Sequence, residues 1–257
     1  MDNLEFSFEK SSTIDKPVEE KKPVNSSVPS NSYNSSKLYL SPSALNIFLD
    51  CPRCFWLDKK MKIKRPRGIF PSLPGGMDFV IKNYFDKYRR DEKMPPEIEG
   101  KVEGSLYPDL DIMERWRSWR KTELKYEDKD LNVVLSGALD DCLLDDGFYI
   151  PLDYKTRGSE LKSDPRVYYQ NQLDCYCLIL EKSGFKTKNL AYLLYYWPNE
   201  VREQGMVEFE VTPIRVETDY NTAIKTVTDA ANLLKGPMPD SKPDCEYCGL
   251  VENMKEL

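Results

Sequence analysis

Asp140, Asp153 and Lys155 are the side chains whose types and spacing could do chemistry, and they sit in one run, Gly137 to Lys155, reading GALDDCLLDDGFYIPLDYK. Two apolar segments, Val133–Leu144 and Phe148–Leu152, flank Asp145-Asp146-Gly147, a short-range hairpin signal. A strand has period two, so Asp153 and Lys155 project from one face while Tyr154 points away. If the hairpin pairs across that turn, Asp140, which interrupts the first strand, comes close enough to Asp153 for both to share a cation. Two carboxylates and an ammonium at one spot are costly unless a metal and an anionic substrate satisfy them. Singly, each acid reads as a solvated hairpin residue; together they read as a site.

The arrangement resembles the PD-(D/E)XK nuclease superfamily, in its RecB-like branch. There the first acid follows a glycine as G-x-x-D, matched by Gly137 to Asp140, and the second element is D/E-x-K, matched by Asp153-Tyr154-Lys155. A third element, Q-x-x-x-Y on the next helix, is matched by Gln172 to Tyr176. The resemblance implies a restriction-endonuclease-like α/β (α+β) core, a central mixed sheet flanked by helices. It also implies Mg²⁺ or Mn²⁺ held by Asp140, Asp153 and the Tyr154 backbone carbonyl. Lys155 then orients or deprotonates the attacking water and stabilises developing negative charge. Gln172 and Tyr176, four apart on one helix face, reach a phosphate or brace Lys155.

Members of the branch usually carry a histidine or acidic ligand on an upstream helix. This chain has no histidine, which excludes histidine ligands, histidine general bases and serine–histidine triads. The upstream helix is expected over Gly76–Tyr88, opened by Leu73-Pro74-Gly75. Val80 stands where the histidine usually falls, and Asp78 is the candidate for the missing ligand. Its alternative reading is a first-turn acid complementing the helix dipole.

Cysteines form a second constellation. Cys51-Pro52-Arg53-Cys54 precedes the core and Cys245-Glu246-Tyr247-Cys248 closes it. Paired CxxC motifs can bring four thiolates to tetrahedral Zn²⁺ or to an iron–sulfur cluster. AddB-type helicase–nucleases and CRISPR-associated RecB-like exonucleases use a [4Fe–4S] cluster to join an N-terminal cysteine to a C-terminal group. The resemblance therefore implies [4Fe–4S], with structural Zn²⁺ as the alternative, because two plus two departs from the usual one plus three. Cys142, Cys175 and Cys177 lie in apolar segments and read as small buried hydrophobes. An odd cysteine count argues against a disulfide framework.

The elements that must position these residues are legible in outline. Met1–Lys37 is polar, rich in Ser, Asn, Pro, Lys and Glu, and reads as a disordered tail; residues 38–257 read as one domain. Ser41-Pro42 starts a helix whose buried face carries Leu45, Phe48 and Leu49 and which delivers Cys51. A helix is expected over Ile112–Glu123, with Trp116 and Trp119 packed inside. The hairpin follows, then a helix over Val167–Glu181, strands at Ala191–Trp197 and Val207–Val211, and a closing helix at Tyr220–Leu234.

Composition sets the remaining bounds. Of the 257 residues 40% are hydrophobic, enough for a core, and no apolar run approaches membrane-spanning length. No secretory or transit pattern opens the chain, so a cytoplasmic location, or nuclear if the source has a nucleus, is expected. The net charge of −6 does not suit a protein that coats DNA by charge alone. Local clusters matter more: Lys59, Lys60, Lys62, Lys64, Arg65 and Arg67 beside the first CxxC, and Arg157, Lys162 and Arg166 after the D-x-K strand. The expected substrate is DNA, with RNA left open, in repair, recombination or the processing of phage or mobile-element DNA. No P-loop is present, so unwinding would need a helicase or recombination partner. The alternative is a non-catalytic nucleic-acid-binding or interaction module that keeps the fold and the staple; a separate, lesser alternative is a phage or plasmid factor whose cysteine site contacts a partner protein.

Overall fold

Ser41 caps the first helix with its hydroxyl, which accepts the Ala44 N–H at 3.2 Å, and Pro42 fills the first helical position. The computed structural model describes residues 37–255 except 67, 69–71, 162–163 and 165. The polar tail up to Ser36, Arg67 and Lys162 therefore lie outside the described residues. In chain order the elements are β1 (Leu38–Leu40), α1 (Pro42–Asp50), α2 (Pro52–Trp56) with a π-helical continuation at Leu57–Met61, and α3 (Ser72–Arg90). Then come β2 (Ser105–Leu106), α4 (Leu110–Trp116), β3 (Lys125–Asp128), β4 (Val133–Ser136), β5 (Asp141–Asp145) and β6 (Phe148–Thr156). The chain continues through α5 (Arg166–Lys182), β7 (Leu190–Val201), β8 (Val207–Glu217), α6 (Tyr220–Leu233) and α7 (Glu246–Lys255).

The five-stranded sheet has the order β2-β5-β6-β7-β8, with β6 and β7 parallel across the α5 connection and the other pairs antiparallel. Its hairpin is the expected one: Asp146 and Gly147 both have positive φ, 48° and 82°, as a two-residue turn that follows strand twist requires. Residues on β7 alternate between two buried clusters. Ala191, Leu193 and Tyr195 face the layer of α1, α5 and α6, whereas Leu190, Tyr192, Leu194 and Tyr196 share a cluster with Ile81 and Phe85 of α3. A strand covered on both faces reads as one apolar run, which is how Leu190–Tyr196 reads in sequence. The fold is therefore the expected mixed α/β core, a mixed sheet flanked by helices.

Four expectations change. The apolar stretch Val133–Leu144 is two strands: β4 joins a separate three-stranded sheet, β1-β4-β3, while β5 joins the main sheet. Asp140 thus lies in the link between sheets, immediately before β5. The helix expected over Ile112–Glu123 ends at Trp116, because the Trp116 carbonyl accepts the Leu139 N–H at 3.0 Å and draws the chain towards that link. Trp116 is fully buried as expected, but Trp119, past the helix end, is 72% exposed. On α1, Leu45 is buried and Phe48 packs edge-to-face on Phe55, whereas Leu49 faces solvent. Helix α7 has no counterpart among the expected elements. None of the helices among the described residues is long and apolar enough to cross a membrane.

Candidate active site and cysteine centre

Pairing of Asp141 with Leu152 in the β5–β6 ladder brings Asp140 beside Asp153 and Tyr154, and Asp140 Oδ2 accepts the Tyr154 N–H at 3.2 Å. The Asp153 side chain points towards α5. There Gln172 donates from Nε2 to Asp153 Oδ1 at 2.8 Å and to the Tyr176 hydroxyl at 2.6 Å. Lys155, on the same face of β6, ion-pairs with Asp153 Oδ2 and lies 4.5 Å from the centre of the Tyr169 ring. The structure therefore brings Asp140, Asp153, Lys155, Gln172 and Tyr176 together at one point between α3 and α5. The glycine of the G-x-x-D element has a steric reason: a Cβ on Gly137 would stand 3.3 Å from the Pro42 ring and 3.4 Å from the Tyr176 ring.

The electrostatics suit a cation. Burial and then the charge of Asp140 push the Asp153 carboxyl up to about 7, against the pull of Lys155. Asp153 Oδ2 is buried and accepts no hydrogen bond, so it retains ligand capacity beyond its ion pair. Oxygen donors of this kind, with the adjacent backbone carbonyl of Tyr154, are the chemistry that Mg²⁺ or Mn²⁺ takes.

Asp78 is in the second turn of α3, since the helix begins at Ser72; the first turn holds no acid and the dipole reading does not apply. Its Oδ2 accepts from Lys82 at 2.8 Å, and the same ammonium donates to Asp140 Oδ1 at 2.8 Å. Lys82 was not among the expected site residues, although its i,i+4 spacing from Asp78 was visible. Burial works against its charge, but Asp140 and Asp78 outweigh that and hold its pKa above the ordinary lysine value.

A second unanticipated group lies behind the site. Asp141 is fully buried and takes Arg89, Arg117 and the Tyr154 hydroxyl, the last at 2.7 Å. Asp86 pairs with both arginines, and Arg117 also donates from Nε to the Asp140 carbonyl at 2.8 Å. Burial raises the Asp141 pKa, yet Arg89 and Arg117 prevail and keep it below 3.8. The doublet Asp140-Asp141 thus splits by function. One acid faces the site and the other anchors it.

The four CxxC cysteines meet although 197 residues separate Cys51 from Cys248. Their sulfurs all lie within 4.8 Å of one another, with Cys54 to Cys245 at 3.6 Å, Cys54 to Cys248 at 3.7 Å and Cys51 to Cys248 at 3.9 Å. All four are buried, an arrangement that could hold a metal. Burial would push the Cys51 thiol up, but the Cys54 and Lys242 backbone amides bring it down to about 6. Arg65 belongs to this centre rather than to a basic patch: it donates to Cys245 Sγ at 3.8 Å, pairs with Asp50 and stacks 4.6 Å over Tyr247. Cys142, Cys175 and Cys177 are buried within the sheet and α5, as expected.

Beside Gln172 and Tyr176 a cleft of about 440 Å³ opens between the start of α1, the β4–β5 link and Trp119. Arg120 lies 4.8 Å over the Trp119 ring. Arg166, expected near the site, pairs with Asp164.

Among known proteins, the solved structure of SSO0001 is similar to this chain with a TM-score of 0.43 and 14% identity, covering 86% of this chain and 88% of its own, a likeness too loose to bear on function. No curated protein sequence matches. The family model of the PD-(D/E)XK nuclease superfamily matches residues 81–252, a span that contains Asp140, Asp153, Lys155, Gln172, Tyr176 and the second CxxC pair. By that match, over most of its length, the chain belongs to the PD-(D/E)XK nuclease superfamily.

Proposed function

We propose that this chain is a metal-dependent nuclease of the RecB-like branch that hydrolyses phosphodiester bonds in DNA. The observation that carries the reading is the convergence of Asp140, Asp153 and Lys155 with Gln172 braced between Asp153 and Tyr176. Asp140 and Asp153, with the Tyr154 carbonyl, would hold Mg²⁺ or Mn²⁺, which supplies Lewis-acid polarisation of the phosphoryl group and acidifies a water. Gln172 fixes the Asp153 carboxylate, and the Tyr154 N–H fixes that of Asp140, so both acids are oriented before substrate arrives. Lys155 is the one ammonium on the D-x-K strand and is placed to stabilise charge on the phosphoryl oxygens and to hold the attacking water. The cleft rimmed by Trp119 leads to Gln172 and Tyr176 and offers a path for a strand.

The cysteine centre is read as a structural staple that ties α2 to α7. A single tetrahedral Zn²⁺ with Zn–S bonds of about 2.3 Å sets its sulfurs about 3.8 Å apart. The Cys54–Cys245, Cys54–Cys248 and Cys51–Cys248 contacts of 3.6–3.9 Å fit that spacing, and all four sulfurs lie within 4.8 Å of one another. A [4Fe–4S] cube puts a separate iron under each thiolate and spreads them to roughly 6 Å. The spacing favours zinc.

The test is cleavage of labelled single- and double-stranded DNA and RNA in Mg²⁺, in Mn²⁺ and in EDTA. Cleavage of DNA is expected with either metal and not in EDTA. Asp153→Ala and Lys155→Ala should each slow it by on the order of a hundredfold or more. If every nucleic acid stays intact with both metals, the non-catalytic binding module takes the place of the nuclease.

A further inference from the structure

Helix α3 presents Asp78, Lys82, Asp86 and Arg89 along one stripe, each about one turn from the last. The stripe meets the doublet Asp140-Asp141 in register. Lys82 reaches Asp140, while Asp86 and Arg89 build the anchor on Asp141. From this geometry we infer that Lys82 is a built-in cation of the active site: it takes the position of a second metal ion, and Asp78 is its counter-charge rather than a ligand. The inference rests on the nuclease reading and specifies the site as a one-ion site.

Three observations carry it. First, the Lys82 ammonium stands 2.8 Å from both carboxylates, so a fixed positive charge already sits on Asp140 Oδ1 at the α3 side of the site. Second, Lys82 cannot withdraw with its helix. Arg89, two turns further on, donates to the Tyr107 carbonyl at 2.6 Å and pairs with the buried Asp141, and Phe85 packs edge-to-face on Tyr154 at 5.0 Å. These contacts fix α3 against the very strand that carries Asp153 and Lys155. Third, the charges balance with one ion. Asp78, Asp140 and Asp153 against Lys82 and Lys155 leave one negative charge when all are ionised. One divalent ion reverses that to one positive charge, which one phosphodiester neutralises. A second ion would leave an excess of positive charge in a half-buried site, which is costly. A fixed ammonium also needs no recruitment from solution, so it acts as pre-organised stabilisation of charge on the phosphoryl oxygens.

The experiment is calorimetric titration of Mn²⁺ into protein whose cysteine centre keeps its own metal, with the bound ion counted by electron paramagnetic resonance. The wild type and Lys82→Arg should bind one Mn²⁺. Lys82→Gln, which removes the charge and keeps a polar side chain, should bind two. Asp78→Asn should bind one ion with affinity within about threefold of the wild type, whereas Asp153→Asn should lose at least the 10- to 100-fold typical of disturbing a metal site. Two ions in the wild type, one ion in Lys82→Gln, or an Asp78→Asn loss as large as that of Asp153→Asn would each overturn the inference. If Asp153→Asn binds Mn²⁺ as the wild type does, it is the carboxylate site itself that fails, independently of Lys82. Circular dichroism and the melting transition of each variant separate misfolding from loss of the ion.

Discussion

Arg117 is tied to Asp140 through the main chain. Its Nε donates to the Asp140 carbonyl at 2.8 Å while its two terminal nitrogens pair with Asp86 and Asp141, each at 2.7 Å. The carboxylate of Asp140 faces the site, where it takes Lys82 and the Tyr154 N–H, and its backbone is clamped from behind. This is the ordering expected of a metal ligand whose orientation must be set before the ion binds.

Replacing Arg117 by Ala leaves Asp141, which is wholly buried, with Arg89, the Tyr154 hydroxyl and the Cys142 N–H, and unpins Asp140. Breaking one side of a buried ion network costs about 3–5 kcal/mol. A fall of that order in urea unfolding is expected, together with weaker Mn²⁺ binding. Arg117→Lys should recover part of the stability and little of the affinity, because an ammonium cannot make the three directed contacts of the guanidinium. Unchanged Mn²⁺ affinity in a folded Arg117→Ala protein would remove Arg117 from any role in positioning Asp140.

The sequence made the hairpin legible because its signals are local: period-two alternation, the Asp146-Gly147 turn and the D-x-K triplet all fall within one short run. Placement of Asp140 was less so. Whether the stretch before it is one strand or two depends on β1 pairing with β4, a contact nearly a hundred residues long in sequence. Arg117, Asp86 and Arg89 carry no local mark that sets them apart from other charged residues, and only their convergence on Asp141 reveals their task. Lys82 did have a signal, four residues after Asp78, but i,i+4 pairs are common on solvated helix faces. Arg65 read as part of a basic cluster because nothing in a linear sequence tells that α7 returns to cover it.

Proton linkage at Asp153 gives a pH prediction. Its carboxyl is raised from 3.8 to about 7 by burial and by Asp140. A raised folded pKa means the metal-free fold binds that proton more tightly than the unfolded chain does. The corresponding stability is fully present below 3.8 and is lost as pH rises through about 7. The ion needs the deprotonated carboxylate, so apparent Mn²⁺ affinity should climb with pH up to about 7 and then level off. Calorimetry in two buffers of different ionisation enthalpy should detect about one proton released per ion at pH 6 and little above pH 8. Asp141 acts with the opposite sign. Held below 3.8 by Arg89 and Arg117 against its burial, it contributes stability above that pH and loses it on acidification. An affinity that is flat from pH 5 to 8 would rule out Asp153 as the titrating ligand.

The cysteine staple predicts a ranking of variants. Cys54→Ser or Cys248→Ser should release the metal and destabilise the fold by several kcal/mol, because binding at such sites is on the order of 10 kcal/mol and counts towards folding. Cys177→Ser, whose thiol lies 3.2 Å from the Thr218 hydroxyl, keeps a hydrogen-bonding atom in place and should cost about 1 kcal/mol. Elemental analysis of anaerobically purified protein should find one zinc per chain and little iron. Brown protein with four irons per chain would overturn the zinc reading and keep the staple; equal effects of Cys54→Ser and Cys177→Ser would overturn the staple.

Trp119 offers a test of how substrate enters. The indole is 72% exposed at the rim of the cleft that ends at Gln172 and Tyr176, two residues beyond the clamped Arg117. Its ring face can stack on a base only when that base is unpaired, since a duplex hides base faces and shows edges. In the Asp153→Asn background, which leaves the strand uncut, Trp119→Ala should weaken binding of a fluorescent single-stranded oligonucleotide on the order of tenfold, the worth of one base stack. Binding of a blunt duplex should change much less. Stability should stay within about 0.5 kcal/mol, because an exposed side chain contributes little to the core. Trp119→Phe should restore most of the single-strand affinity. Equal affinities of Trp119→Ala and its parent for the single strand would exclude the indole as a stacking platform and direct the search for the strand path away from this cleft.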